Sequence, residues 1–206
     1  MQYGKAVPML ALAAIAVVGV ASSAEAQCGS VVGNMVQNCG FETGDFTGWT
    51  MGTPFITSNW NKVAGGMNAH TGSDGWWGGY IGQPTFLSQT LTTVAGQEYN
   101  FGFWFNSPYG QNGQPNAMVA RWDGVDVVNL VDPPIADWTY YSFDVVASGA
   151  STTFEIGLQQ DLGYEGIDDV QVTTATDAAP EPAALVYMVT GLIGVAGIAR
   201  RRRSAR

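Results

Sequence analysis

The chain has 206 residues, 17 acidic against 8 basic side chains, and a formal net charge of −9. Of the basic residues only Lys62 and Arg121 fall between Gln27 and Ala179, where all but two of the acids lie. That balance argues against a nucleic-acid partner, since binding phosphates needs Lys and Arg to displace counterions, and a lone histidine, His70, excludes a metal site built on clustered histidines.

Taken in chain order, the first segment reads as an export signal. Lys5 supplies positive charge, Met9 to Val20 is apolar, and Ala24-Glu25-Ala26 forms a small-residue cleavage site, so residues 1–26 are a predicted signal peptide and Gln27 the predicted mature start. Cys28 and Cys39 are the two cysteines of the chain. An even count in an oxidising compartment predicts a disulfide between them.

Beyond them the pattern is period-two. In "EYNFGFWFNS" Tyr99, Phe101, Phe103 and Phe105 share one face, with Asn100, Gly102, Trp104 and Asn106 on the other. "WTYYSFDVVA" aligns Tyr141, Phe143 and Val145, and "STTFEIGLQQ" aligns Phe154, Ile156 and Leu158. "FLSQTLTTV", "AMVARW" and "VDVVNLV" read as further short strands. Turn residues rich in Gly, Pro, Asn and Asp separate them, which predicts an all-β sandwich over residues 27–173. All seven tryptophans lie in this region. Trp76, Trp77 and Tyr80 stand among glycines in "GWWGGY", where flat rings on a loop would stack on sugar faces; they are the candidate carbohydrate-binding residues. Residues 174–182 are a linker ending in Pro180-Glu181-Pro182. Residues 183–199 are an uncharged apolar segment at the lower length limit for a transmembrane helix, and residues 200–206 are an arginine-rich tail that stays cytoplasmic. Two prolines stop any helix entering from the domain and leave an extended, accessible peptide outside the bilayer.

In its order of Pro-Glu-Pro, apolar span and arginine cluster, residues 180–206 resemble the PEP-CTERM sorting signal of bacterial exported proteins. The resemblance implies recognition at Pro180, Glu181 and Pro182 by an exosortase, a membrane-embedded cysteine transpeptidase that removes the tail. It also implies transient residence in the inner membrane of a Gram-negative bacterium that makes extracellular polysaccharide. The mature protein would then lie in the cell envelope, on the outer surface or in the extracellular matrix.

"NCGFETGDFTGWT", "LSQTLTTVAGQEYNFGFWFN" and "GYEGIDDVQV", in that order, resemble the galactose-binding-like jelly roll shared by many carbohydrate-binding modules, over residues 34–173. The resemblance implies a structural calcium (Ca2+) joining the first and last strands, at positions matched here by Glu42 and by Asp168 or Asp169. Adjacent acids on a regular strand point to opposite faces, so only one of the pair can aim into such a site, and Asp169 is the preferred ligand. Bringing Glu42 close to an Asp is itself a reason for a cation. The reading from sequence is therefore an exported, non-enzymatic jelly-roll β-sandwich that binds or organises polysaccharide. A protein-binding matrix or adhesion role is the second reading and a glycoside hydrolase the third.

Overall fold

Ten short strands account for most of the chain that the computed structural model describes, namely residues 26–55, 61–65, 68–110, 115–161 and 163–175. The expected signal peptide, the Pro-Glu-Pro motif, the apolar segment and the arginine tail lie outside the described residues. Among the described residues no helix is long and apolar enough to cross a membrane. In chain order the strands are β1 (Thr50–Met51), β2 (Asn61–Gly65), β3 (Asp74–Gly78), β4 (Thr85–Thr92), β5 (Glu98–Ser107), β6 (Asn116–Trp122), β7 (Val125–Val131), β8 (Ala136–Val146), β9 (Ser151–Gln160) and β10 (Glu165–Thr174).

They form two five-stranded sheets, ordered β1-β4-β9-β6-β7 and β2-β3-β10-β5-β8, with antiparallel pairing throughout. The protein is thus an all-β jelly-roll sandwich, as the alternation predicts. Side chains one residue apart on a strand face opposite ways, so each sheet presents one set of rings and aliphatic chains inward. Phe101, Phe103 and Phe105 of β5, Ile167 and Val172 of β10, Met118 and Trp122 of β6, and Phe154, Ile156 and Leu158 of β9 are all buried in this layer. Phe101 meets Phe154 at 5.1 Å between ring centroids, across the two sheets.

The stretch "GWWGG", expected as a loop, is instead the body of β3, paired to β2 on one side and β10 on the other. Glycine makes this possible. A Cβ on Gly78 would collide with the side chains of Asn61 and Trp76, and one on Gly79 with Gln160. Bare backbone here lets the two sheets close over one large ring, and Trp76 is fully buried.

The N-terminal segment lies along β10. Cys28 and Cys39 are joined by a disulfide, as the cysteine count predicts. The Met35 amide donates to the Val172 carbonyl, and Asn34 both accepts from the Val172 amide and donates to the Val170 carbonyl. The segment is thereby fixed to the last strand at several points rather than trailing from the domain.

Candidate functional site

The outer face of the sheet containing β5 carries the second set of alternating residues. Trp104 sits there between Gly102 and Asn106, opposite Tyr140 of β8 and Asp168 of β10. The Trp104 and Tyr140 rings lie 5.4 Å apart at 46°. His70 stacks on the other side of Trp104, at 3.8 Å and 16°, and meets Trp138 edge-on at 5.7 Å. Trp138 in turn contacts Trp77 at 6.1 Å and 83°. The result is a line of aromatic rings running across the strands from Tyr140 to Trp77. Trp104 and Trp138 are half-buried and Tyr140 is 39% exposed, so the Tyr140 end of the line faces solvent.

Polar groups surround these rings. Gln171 donates its amide to the Tyr140 hydroxyl, and a Cβ at Gly102 would strike that same hydroxyl. Beside them Asn100 and Ser142 exchange hydrogen bonds at 2.8 and 3.1 Å, and Asn100 reaches Asp144 at 3.1 Å. A cavity of about 260 Å³ opens at the same place, lined by Trp104, Tyr140, Gln171, Asp169 and, from the N-terminal segment, Gln27, Cys28 and Val31. The disulfide therefore fixes one wall of the cavity.

Of the two acids of the closing motif, Asp169 lines the cavity and Asp168 is buried behind it. A β-bulge between Asp168 and Gln171 breaks the alternation of β10, and Asp169 adopts φ = +48° in the left-handed region. Both carboxylates consequently turn toward the same loop, against the expectation that adjacent acids face opposite ways. Asp168 accepts from the His70 and Thr71 amides at 2.7 and 3.2 Å and from the Asp169 amide at 2.7 Å. Asp169 accepts from the Cys28 amide at 3.0 Å, from His70 Nδ1 at 2.8 Å and from the Thr71 hydroxyl at 2.7 Å. Burial first, and the charge of Asp169 second, push the Asp168 carboxyl up to about 8, against the pull of its three amide donors. Together the pair ties the N-terminal segment, the loop at His70 and the last strand into one unit.

Glu42 reaches the same loop two residues further on, accepting from the Ser73 and Asp74 amides at 2.9 and 3.0 Å. Both oxygens of Glu42 and both of Asp169 accept N–H or O–H hydrogens. No group of three or more His, Cys, Asp and Glu among the described residues is arranged to hold a metal ion. Glu42 and Asp169, the expected calcium ligands, are thus held on one loop through amide, imidazole and hydroxyl donors.

The rings read from sequence as a glycan platform are distributed differently. Trp76 belongs to the core, with its indole N–H on Asn61 at 3.2 Å. Trp77 lies on the outer face but is covered, 7% exposed, at the closed end of the aromatic line, and its indole donates to the Asn68 carbonyl. Tyr80 is half-buried next to Gln159 of β9. A strand at the middle of a sheet cannot offer two consecutive rings to solvent, because one of them must point inward. The half-buried Trp104 and exposed Tyr140 are not among the rings singled out from sequence, although Trp104 carries a signal there: a large ring among Asn100, Gly102 and Asn106 on the polar side of a strand.

No protein-family model and no curated protein sequence matches the chain. Solved structures share its fold. The cleaved adhesin domain K1 of Lys-gingipain from Porphyromonas gingivalis W83 aligns with 66% of this chain and 96% of its own at 12% identity, with a TM-score of 0.51. The enzymatically active domain of tailspike protein 4 of bacteriophage CBA120 aligns with 68% of this chain at 15% identity and a TM-score of 0.50, and the alignment spans only 21% of that domain. The carbohydrate-binding module TmCBM61, solved with beta-1,4-galactotriose, aligns over 98% of its length and 68% of this chain at 21% identity, with a TM-score of 0.49. At 12% and 15% identity what the adhesin and tailspike domains share with this chain is the sandwich.

Proposed function

We propose that this protein is an exported glycan-binding module that holds neutral polysaccharide on the outer face of the β5 sheet. The observation that carries the reading is the pairing of the part-exposed Trp104 and Tyr140 rings with amide and hydroxyl groups beside a cavity. Flat rings suit the C–H faces of sugars, and Gln171, Asn100 and Ser142 suit their hydroxyls. The surroundings are acidic, with Asp144 and Asp169 nearby, which favours an uncharged glycan over an anionic one. The nearby acids Asp168 and Asp169 serve to hold chain segments together through amide and hydroxyl donors, which supports binding without catalysis. Sorting by an exosortase at Pro180-Glu181-Pro182 belongs to the same proposal and rests on the sequence motif.

A glycan array probed with the purified protein tests the binding, followed by titration of the best ligand against wild type and Trp104→Ala. The expected result is retention of a neutral glycan and a loss of about tenfold or more in affinity on removing the ring. Equal binding by both proteins would move the site elsewhere. A protein-binding role is the second reading. It is favoured by a cavity of about 430 Å³ at the seam between β7 and β8, lined by Trp122, Val125, Val127, Val145 and Val146, of which Val125 and Val146 are exposed.

A further inference from the structure

One end of the sandwich interior is polar where the rest is aromatic and aliphatic. On the inner face of the β5 sheet, Asn61 of β2 stands opposite Gly78 of β3, and Gly78 stands opposite Glu165 of β10. Gly166 pairs with Asn106, so the register carries Glu165 on to Ser107 of β5. On the inner face of the other sheet Asn116 of β6 stands opposite Gln160 of β9. Gln160 lies against Gly79, just beyond β3, which brings both rows to the same end of the molecule. All five polar side chains are at most 1% exposed.

Their hydrogen bonding is incomplete in a patterned way. Among the described residues, both oxygens of Glu165, the Gln160 amide oxygen and nitrogen, the Asn116 oxygen, the Ser107 hydroxyl and the Asn61 nitrogen have no partner. Two of the amides are oriented by bonds on their other side. Asn116 donates to the Gly110 carbonyl at 2.8 Å, which leaves its oxygen as the free group. Asn61 accepts from the Trp76 indole at 3.2 Å, which leaves its nitrogen free. A buried polar atom without a partner costs about 1–3 kcal/mol, and several on adjoining rows at one end of the interior call for ordered water or an ion to satisfy them. Five of the seven free atoms are oxygens, one pair of them a carboxylate. That set of carboxylate, amide and hydroxyl oxygens is what a hard cation requires, with six to eight oxygens as the usual complement for calcium.

From this juxtaposition we infer that the polar end of the sandwich is a cation site of the calcium class, with the Glu165 carboxylate as its charged ligand and Asn116, Gln160 and Ser107 as neutral ones. The site is separate from Glu42 and Asp169, whose oxygens are taken by amide, imidazole and hydroxyl donors. A buried carboxylate without a cation is held protonated, and burial pushes Glu165 up to about 9, so a neutral Gln at this position keeps the shape and charge of the metal-free protein. Glu165→Gln matches the side chain in size and removes only the charged ligand.

The test uses the purified full chain, stripped with EDTA and titrated with CaCl2, with MgCl2 and NaCl as comparisons. Melting temperature, bound metal by elemental analysis, and terbium luminescence sensitised by tryptophan are read together. The expected result is one equivalent of calcium bound, a rise in melting temperature, and terbium emission that calcium displaces. Glu165→Gln should lose all three while melting no lower than the wild type in EDTA. Glu42→Gln and Asp169→Asn should keep the terbium signal. No bound metal and no thermal response to any of the three salts would overturn the inference. So would a calcium response that survives Glu165→Gln and disappears with Glu42→Gln or Asp169→Asn.

Discussion

Glu165 and Trp104 show how much a single position can decide in this fold. The raised pKa of Glu165 means that the folded, metal-free protein keeps a proton that the unfolded chain releases near the ordinary value of 4.5. Between about 4.5 and 9 the native state holds more protons than the unfolded one, so stability falls as pH rises, by up to about 1.4 kcal/mol per pH unit. Urea unfolding in EDTA at pH 5.5, 7 and 8.5 should show that decline. In Glu165→Gln the slope should be reduced to the part due to Asp168, which is raised in the same direction. A wild-type slope no steeper than that of the variant would mean that Glu165 is ionised in the folded protein. Trp104 was legible in the sequence as an outward ring and Glu165 was not. Residue type alone does not report that the carboxylate lies on an inner row with Gly78 on one side and Ser107 on the other.

At the scale of elements, the sequence was most informative where alternation is unbroken. β5 and β9 bury the residues their spacing predicts, and the Cys28–Cys39 bond is the one the even cysteine count predicts. It was least informative where backbone geometry departs from the regular strand. The bulge in β10 turns Asp168 and Asp169 toward one loop, and a left-handed φ at an aspartate is invisible to a period-two pattern. Glycines around Trp76 and Trp77 read as loop, yet they serve close approach inside a sheet. The N-terminal segment is held by the disulfide, by Asn34 and by the Asp169 carboxylate. Replacing both cysteines by serine should lower stability by up to about 3 kcal/mol. Hydrogen exchange should then quicken in residues 26–40 before it quickens in β5 or β9. Because Gln27, Cys28 and Val31 line the cavity beside Trp104, glycan affinity should fall with it. Unchanged exchange in that segment would show that its hydrogen bonds suffice without the bond.

For the whole molecule, the sandwich leaves two surfaces of different chemistry: an outer sheet face with rings, amides and hydroxyls, and a seam between β7 and β8 with exposed valines. If the face binds neutral glycan, affinity should change by less than about twofold between 50 and 500 mM NaCl, since no charge pairs are formed for salt to screen. Processing at Pro180-Glu181-Pro182 predicts a mass for the protein from its host that lacks the arginine tail, and a species still ending at Arg206 would refute cleavage. The most direct test of the binding face is a two-dimensional NMR titration of the tryptophan indole signals with the glycan retained on the array. The account predicts that Trp104 and Trp138 shift first and saturably, with Trp76 unmoved in the core. Shifts confined to Trp122 at the β7–β8 seam, or none at saturating ligand, would contradict it.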